Sequence, residues 1–339
     1  MKKKLVALLM AAAMTVSLAA CSNNKTPSEE GNQNQGEKTV YKVAVVKQMD
    51  HASLNEIADA ICKQLDKIAE ENNVEIEYGE VYSGQGDQSV LKQIGAQVIS
   101  DGVDAIIPIA TTAAQVMAVE AEDTKTPVIF AAVSDPETAN LTGIDYVTGT
   151  SEGLDTKLII DMMIAQNPDV KTVGLLYSKS EPNSEAPIAE AKAYLESKNI
   201  AYSEKTGNTN DEVVAAAGAL IAEGVDAIFT PTDNVVMAAE PAIYESLMEA
   251  GIPHYTGADS FVLKGAFATC GVNYTDLGTK TADLAYQALK DGMADMDDFY
   301  PVAGGIITVN TETAANMDID YSVFETMGTV VKVSTDLSA

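Results

Sequence analysis

Short apolar runs and helical periodicities alternate along the first half of the chain. The runs are rich in Val, Ile and Ala, which is typical of buried strands, while apolar residues that return every three or four positions indicate helices. Strands and helices that alternate in this way predict a parallel, doubly wound α/β sheet. The predicted elements are strands over 40–46, 75–82, 105–109 and 128–132 and helices over 54–71, 88–100 and 113–121.

The same alternation starts again in the second half, and one segment is repeated. Gly102–Ile106 returns letter for letter as Gly224–Ile228, and Pro127 and Pro253 precede the last strand of each half. A long unit that occurs only twice excludes a solenoid and predicts two Rossmann-like lobes. The predicted elements are strands over 171–177, 202–205, 227–230, 254–259 and 306–310 and helices over 185–198, 211–223, 235–250 and 281–290.

Three segments are predicted to cross between the lobes as hinge strands, so that each lobe is discontinuous in sequence. They lie near Thr148–Gly153, Gly271–Asp276 and Val302–Ile306. Because each lobe finds its partner within the same chain, we expect a monomer. The predicted lobes are an N-terminal lobe of residues 39–148 plus 275–302 and a C-terminal lobe of residues 149–274 plus 303–339.

The N-terminus has the charge order of a secretory signal. Three lysines precede an apolar run over 5–20 that is too short to read as a membrane span. The run ends in Leu18-Ala19-Ala20-Cys21, which resembles the lipobox of bacterial lipoproteins; the alternative is an ordinary signal with a chance cysteine. Residues 21–38 have almost no apolar side chains, which predicts a flexible tether. We therefore expect residues 1–20 to be a lipoprotein signal peptide and Cys21 to carry the lipid anchor.

Composition and charge exclude several classes of function. The chain has 50 acidic and 21 basic residues, so its net charge of −29 argues against nucleic acid and anionic lipid as partners. Besides Cys21 only Cys62 and Cys270 are present, and whether they pair stays open. Two distant histidines, His51 and His254, and the lack of a Cys-x-x-Cys motif predict no metal and no cofactor. No activated nucleophile is recognisable, so we expect a binding protein and not an enzyme.

Polar pairs follow equivalent strands of the two halves, where ligands bind in open α/β sheets. Thr111-Thr112 follows one strand, and an offset of 122 residues places Asp233-Asn234 at the matching position. Hydroxyls and helix N–H groups suit a carboxylate, and Asp233 suits an ammonium group, so the pair predicts a zwitterionic ligand. The alternative is that these side chains only cap their helices.

Further polar and aromatic side chains end other predicted strands. Asp259 is a second candidate for the ammonium group, or ties a hinge. An aromatic ligand needs a ring to stack on, and because the chain has no tryptophan we expect Phe130, Tyr177 or Tyr82 to supply it; the alternative for Phe130 is a place in the core. The remaining candidates are Ser134, Asp135, Asn183 and Ser184, for which the alternative is a turn held by its own side chains.

Five spaced motifs resemble one family, the ABC-transporter substrate-binding lipoproteins of the type-I periplasmic-binding fold that include the tryptophan- and tyrosine-binding proteins. A departure is Ala52-Ser53, where the family more often has a proline. The resemblance covers about residues 41–330. The motifs are Gln48-Met49-Asp50-His51, Ile109-Ala110-Thr111-Thr112-Ala113-Ala114-Gln115, Val133-Ser134-Asp135-Pro136, Tyr177 with Glu181-Pro182-Asn183-Ser184, and Pro231-Thr232-Asp233-Asn234.

The resemblance implies capture of an aromatic amino acid outside the membrane by closure of the two lobes. It also implies an ABC permease and ATPase as partners, with Gln48 and His51 among the ligand contacts. The residues alone leave two alternatives open. One is a receptor for another small polar ligand such as a nucleoside or a sugar, and the other is a receptor that feeds a sensor kinase.

Overall fold

Two seven-stranded sheets organise the chain in a computed structural model, which describes residues 38–337. The predicted signal peptide, tether and Cys21 lie outside these residues, apart from Lys38. The elements up to the first crossing are β1 (Val40–Lys47), α1 (Ala52–Asn72), β2 (Glu75–Glu77), β3 (Tyr82–Ser83), α2 (Gln88–Ser100), β4 (Ala105–Ile109), α3 (Thr111–Glu120), β5 (Val128–Val133) and β6 (Val147–Glu152).

The later elements build the second sheet and return once to the first, over residues 274–302. They are α4 (Thr156–Gln166), β7 (Thr172–Tyr177), α5 (Pro182–Ser197), β8 (Ala201–Thr206), α6 (Asn210–Glu223), β9 (Ala227–Thr230), α7 (Asn234–Glu249), β10 (His254–Thr256), α8 (Asp259–Leu263), β11 (Ala268–Gly271), α9 (Tyr274–Asp291), β12 (Tyr300–Val302), β13 (Ile306–Asn310), α10 (Thr311–Asn316), a 3₁₀ helix (Ser322–Thr326) and β14 (Val330–Val333).

Strand order confirms the predicted α/β fold of two doubly wound lobes. The first sheet runs β12-β6-β5-β4-β1-β2, with β3 also beside β1, and all its pairs are parallel. The second runs β14-β13-β11-β10-β9-β7-β8 and is parallel except between β11 and β13. We call the first sheet with α1–α3 and α9 the first lobe, and the second sheet with α4–α8 and α10 the second lobe.

Side chains alternate between the two faces of each sheet, as strand geometry requires. In β1, Val43 and Val45 pack in the core that contains α1 and α9, whereas Ala44 and Val46 pack with α2 and α3. Since both faces of the strand are buried, the run is continuously apolar. Helices therefore cover both sides of the sheet and leave its strand ends as the place for a site.

The chain passes between the two sheets at residues 153–155, 272–273 and 303–305. These crossings lie at or beside the three predicted hinge segments. Sheet pairing keeps β6 with the first sheet as far as Glu152, four residues beyond the predicted lobe limit, and the limits themselves stay a prediction. Each crossing is short, so the strand ends of both sheets are brought to the same gap.

Two predicted elements differ from the structure. The strand predicted over 75–82 is divided into β2 and β3, because Gly79 has a φ of +59° and interrupts the extended chain. The segment predicted as hinge strand near Gly271–Asp276 becomes helical at Tyr274, because the Asn273 side chain accepts a hydrogen bond from the Asp276 N–H at 2.8 Å. Helix α9 consequently starts seven residues before the predicted position.

Both remaining cysteines are free thiols, Cys62 on α1 and Cys270 in β11, which answers the open question of their pairing. Within residues 38–337, no helix combines the length and the apolar character that crossing a membrane requires.

Candidate functional site

Two adjoining cavities lie between the strand ends of the two lobes. The inner cavity, of about 20 Å³, is lined from the first lobe by residues such as His51 and Thr111 and from the second by residues such as Asn234. The outer cavity, of about 540 Å³, shares Thr111 and Asn183 with the inner one. Because one water occupies a space of about 10–15 Å³ on this measure, the inner cavity has room for a single small group.

Helix α3 points its N-terminus at both cavities and has no side-chain cap within the described residues. Its N-cap is Ala110, whose φ of +79° is unusual for a residue with a Cβ. Ala132, which also lines the inner cavity, has a φ of +55°. Strained backbone of this kind costs about 1–3 kcal/mol per residue and concentrates at ligand sites. The Thr112 hydroxyl is buried and has no hydrogen-bond partner in residues 38–337.

Asp233, at the matching position of the second lobe, is the N-cap of α7 and is fully buried. Its Oδ1 accepts the N–H groups of Val235 and Val236 at 3.1 and 3.0 Å. Its Oδ2 accepts the Ser178 N–H and the Ser184 hydroxyl, both at 2.7 Å. A carboxylate has about four acceptor sites, and the protein itself occupies all four. The geometry therefore gives Asp233 the capping role that the sequence left open as an alternative.

A buried polar network joins the two lobes, and four of its members follow strands β1, β7 and β9. Gln48 and Asn234 donate amide hydrogens to the two oxygens of Glu181, each at 2.6 Å. The Oδ1 of Asn234 lies 3.0 Å from Nε2 of His51. Since Gln48 and His51 belong to the first lobe and the other two to the second, these bonds hold the lobes in a closed arrangement.

Two shorter bridges reinforce that arrangement. The hydroxyls of Ser53 and Ser260 are 2.5 Å apart, and those of Ser134 and Thr232 are 3.2 Å apart. Each pair has one member in each lobe. The lobes are thus joined by further side-chain hydrogen bonds, in which Ser53 and Thr232 are residues that line the inner cavity.

Burial shifts the pKa values of this network away from their usual range. Burial raises the pKa of Glu181, and the nearby charge of Asp233 raises it further, against the amide hydrogen bonds from Asn234 and Gln48. Burial also raises the pKa of Asp233 itself. For His51 burial disfavours the cation and lowers the pKa to about 4, so the imidazole is neutral at physiological pH.

Two more carboxyl groups with raised pKa values lie in this region, the buried Glu152 and the partly buried Asp259, and of the two only Glu152 lines a cavity, the inner one. Glu152, the last residue of β6, lines the cavity and is 7% exposed. Burial raises its pKa to about 8, while a hydrogen bond from the Tyr274 hydroxyl opposes the shift. Asp259, the first residue of α8, has its pKa raised to about 7, chiefly by burial, and its Oδ1 has no partner among residues 38–337.

The other predicted polar residues surround the cavities in different ways. Asn183 lines both and donates to the Thr232 carbonyl at 2.6 Å. Ser134 and Asp135 line the outer cavity, and the Asp135 carboxylate accepts the backbone N–H and the hydroxyl of Thr138. Ser184 is turned toward Asp233 and lines neither cavity.

The predicted stacking residues lie away from both cavities. Phe130 is fully buried in the core that contains α2 and α3, where Gly149 of the neighbouring strand leaves space for its ring. Tyr177 is buried in the second-lobe core and donates its hydroxyl to Glu204 of β8 at 2.7 Å. Tyr82 packs against the same core as Phe130. The structure thus places all three rings in packing positions.

Sequence reasoning missed several residues that line the cavities. Phe299 and Leu154 line the outer cavity, and Glu152 and Tyr274 the inner one. Glu152 was within a predicted hinge segment, and a charged residue that ends an otherwise uncharged strand was the available signal. Phe299 precedes a strand of three residues that no apolar pattern indicates.

Comparisons with known proteins identify the family to which this arrangement belongs. Residues 42–325 match the family described as ABC transporter substrate binding protein. A curated relative, the tyrosine-binding protein of Clostridioides difficile (strain R20291), is 28% identical over 297 residues, 85% of this chain and 84% of the relative.

Two solved structures share the fold over nearly their whole length. The ABC domain in complex with L-Trp from Streptococcus pneumoniae is 30% identical, with a TM-score of 0.77 over 86% of this chain and 100% of that one. The ligand-free, open structure of a substrate-binding protein with adhesive properties from Clostridium difficile is 26% identical, with a TM-score of 0.64 over 87% and 100%.

These matches confirm the predicted resemblance and the type-I periplasmic-binding fold. The family consists of binding proteins, which confirms the expectation that the protein is not an enzyme. Among the described residues, no group of His, Cys, Asp and Glu side chains is arranged to hold a metal ion. The chain therefore belongs to the ABC transporter substrate-binding proteins.

Proposed function

We propose that the protein captures an aromatic amino acid outside the cytoplasm and delivers it to the permease of an ABC importer. In this proposal Cys21 carries a lipid anchor, so that residues 21–38 tether the folded lobes to the outer face of the cell membrane. The ATPase subunit of the importer drives transport, and the binding protein acts as a monomer.

The two cavities between the lobes support an amino acid as the ligand. The observation that carries the proposal is the N-terminus of α3, which meets both cavities at Thr111 without a side-chain cap in the described part of the chain. Free N–H groups and the positive end of the helix dipole favour a carboxylate there by roughly 1–2 kcal/mol. Thr111 lines both cavities and adds a hydroxyl donor to the same anion, whereas Thr112 lines neither.

The outer cavity supports an aromatic side chain. Its wall combines a half-buried phenylalanine with a leucine side chain and several proline rings. These apolar surfaces suit a flat apolar group. The names of the relatives agree, since one is a tyrosine-binding protein and another was solved with L-Trp. The apolar wall consists of Pro136, Leu154, Pro182, Pro187, Phe299 and Pro301.

Lobe closure provides the mechanism of capture. The bonds from Gln48 and His51 to the second lobe form only when the lobes meet, so a ligand that contacts both lobes shifts the population toward the closed form. This structure is more similar to the L-Trp complex than to the ligand-free open relative, which agrees with a closed arrangement. Since the inner cavity has room for only one small group, the lobes must separate for the ligand to enter.

Isothermal titration calorimetry tests the ligand class. The protein, purified in mild detergent, is titrated with L-Trp, L-Tyr, L-Phe, other amino acids, nucleosides and sugars. We expect only aromatic amino acids to bind. Their Kd values should be near micromolar, which corresponds to a binding free energy of about −8 kcal/mol. Thr111→Val should weaken binding of L-Trp but not of tryptamine, which lacks the carboxylate.

Binding of a sugar or a nucleoside, with none of the aromatic amino acids, would refute the proposed ligand. The anchor is tested separately by Cys21→Ser, which should move the protein from the membrane fraction to the medium. Unchanged membrane association of that variant would mean that Cys21 is not the anchor.

Deletion of the gene tests the link to an importer. If the protein serves a sensor kinase, uptake of the amino acid should stay intact, whereas loss of uptake supports the importer.

A further inference from the structure

Charge is distributed unevenly around the two cavities. None of the described residues that line either cavity is Lys or Arg, whereas Glu152 and Asp233 line the inner one. A buried carboxylate without a cation is costly and usually acquires a partner or a proton. The inner cavity is therefore suited to a ligand group that brings positive charge, and the question is which carboxylate binds it.

Glu152 is the available carboxylate. Asp233 already accepts four hydrogen bonds from the protein, whereas Glu152 is known to accept one, from the Tyr274 hydroxyl on α9. The charged group that acts on Glu152 is another carboxyl, Asp259 of α8, and Asp259 in turn faces Glu56 of α1. Each of these neighbours adds negative charge or a neutral hydroxyl, and none of them supplies a cation to Glu152.

A second acceptor lines the same cavity and is defined independently of these carboxyl groups. Asn234 donates through Nδ2 to Glu181, so its Oδ1 faces His51 and must accept from Nε2–H. In the neutral imidazole this leaves Nδ1 as an acceptor. His51 is nine-tenths buried, and its Nδ1 has no partner anywhere in the described residues. An acceptor left in this way calls for an N–H donor from a ligand.

Cavity size agrees with an ammonium group. A volume of about 20 Å³ holds one water-sized group, and an ammonium group is of that size. Thr111 lines this cavity and the larger one, so a carboxylate at α3 would lie beside the ammonium, as it does in an α-amino acid. The rest of the ligand would then occupy the outer cavity.

We propose that Glu152 is the residue that selects ligands with an ammonium group, binding it together with Nδ1 of His51. This inference rests on the proposed function for the identity of the ligand. It replaces Asp233 in the role that the sequence predicted for it. Tyr274 acts as a positioning residue, because its hydroxyl orients the Glu152 carboxylate.

Three indole probes separate the ammonium from the carboxylate: L-Trp, tryptamine and indole-3-propionate. Glu152→Gln keeps the size of the side chain and its ability to accept from Tyr274. We expect it to weaken binding of L-Trp and tryptamine at least about tenfold, the range of one charge-assisted hydrogen bond. Binding of indole-3-propionate should stay unchanged or improve. The matched control is Glu77→Gln, which removes the same charge from an exposed position on β2 and should change nothing.

Proton release gives a readout that a structural role would not change. An ammonium beside Glu152 lowers the pKa of the carboxyl from about 8, so binding of L-Trp at pH 7 should release about one proton. Calorimetry in buffers of different ionisation enthalpy measures that proton. Glu152→Gln should abolish the release. Far-UV circular dichroism and thermal melting of the ligand-free variant establish that it folds. Tyr274→Phe is a second variant, for which we expect reduced affinity for L-Trp and retained proton release.

The outcomes distinguish this inference from the proposed function. Equal loss of all three probes, or no loss for L-Trp, in a folded Glu152→Gln protein would overturn the inference while the proposed function stands. If the wild type binds tryptamine but no aromatic amino acid, the proposed function fails, and the same variant tested with tryptamine decides the inference. If it binds L-Tyr but no indole probe, tyramine and 3-(4-hydroxyphenyl)propionate replace the indole probes. If it binds neither the three probes nor L-Tyr or L-Phe, both fail.

Discussion

Thr111 and Asp233 occupy equivalent positions in the repeated halves, but the two helices that follow begin one residue apart. Helix α3 starts at Thr111 itself, after Ala110, whereas α7 starts at Asn234, after Asp233. A side chain at the N-cap position can accept the helix N–H groups, and one at the first helical position cannot do so in the same way. The second lobe therefore caps its helix with Asp233, and the first lobe leaves its helix end available to a ligand.

Replacement of Asp233 separates the capping role from a ligand role. Asp233→Ala removes the cap and leaves the buried Ser178 N–H and Ser184 hydroxyl without their acceptor. We expect the free energy of unfolding to fall by about 2–4 kcal/mol, measured by urea denaturation. Asp87→Ala is the control, since Asp87 caps α2 through one exposed bond and should cost about 0.5–1 kcal/mol.

The ratio of affinities for L-Trp and indole-3-propionate should stay as in the wild type when Asp233 is replaced. A variant that is as stable as the wild type but no longer prefers L-Trp would show that Asp233 contacts the ammonium directly.

Apolar periodicity predicted the helices and strands whose buried faces follow a regular pattern. The ranges of α2, β4, β9 and β13 are those predicted, because each is a continuous apolar run or a clear helical pattern between turn residues. The segment over β6 gave no such signal. After Val147 its residues are glycine or polar, yet all six residues of Val147–Glu152 are buried. Tertiary packing covers them, and no sequence pattern indicates it.

The candidate site was predictable only in part for the same reason. Loops after parallel strands meet at one edge, so His51, Thr111, Asn183 and Asn234 could be expected near one another, and they line one cavity. The direction of a side chain depends on the alternation along its strand and on its neighbours. Phe130 lies on the same face of β5 as Val128 and packs with α2 and α3. Its position near the end of a predicted strand did not indicate which face it occupies.

Close packing of α1 against α9 gives a prediction for the first lobe. A Cβ added at Gly278 would lie 2.7 Å from the Cβ of Ala60 and 2.7 Å from the carbonyl oxygen of Ile57. Gly278→Ala must therefore push the helices apart, and we expect a loss of about 1–3 kcal/mol in the free energy of unfolding.

Gly218 of α6 is the matched control, because a Cβ there meets nothing within 4 Å. Gly218→Ala should stabilise the protein by about 0.4–1 kcal/mol through the unfolded state and helix propensity. Urea denaturation measures both variants. Equal effects of the two substitutions would contradict the close approach of α1 and α9.

The two lobes close on a region that contains buried carboxyl groups. Among the described residues that line the two cavities, none is Lys or Arg. Glu181, which accepts the hydrogen bonds from Gln48 and Asn234, and Glu152 are both buried away from water. Closing without a ligand therefore costs either desolvation of charge or uptake of protons. A ligand ammonium removes that cost, so ligand binding, lobe closure and pH are linked.

The stability of the ligand-free protein should accordingly fall as the pH rises from about 6.5 to 8. In the folded state the pKa of Glu152 is raised to about 8 and that of Asp259 to about 7, above the ordinary values of 4.5 and 3.8. A raised pKa means that the folded state holds the proton more tightly, so the contribution is complete below the ordinary pKa and is lost progressively as the pH rises to about 7 for Asp259 and about 8 for Glu152. His51, with its pKa lowered to about 4, acts in the opposite sense but only below about 6.5.

Urea denaturation at pH 6.5, 7.2 and 8 measures this loss, which can reach about 1.4 kcal/mol per pH unit for each group. Glu152→Gln should make the fall shallower, since Asp259 and Glu181, whose pKa values are also raised, still contribute. Saturating L-Trp should have the same effect in the wild type, because the ammonium stabilises the ionised carboxylate. A free energy of unfolding that stays level or rises across this range would contradict the linkage. Since the three curves differ only in one side chain or one ligand, their difference in slope between pH 6.5 and 8 reports the proton that Glu152 holds in the closed lobes.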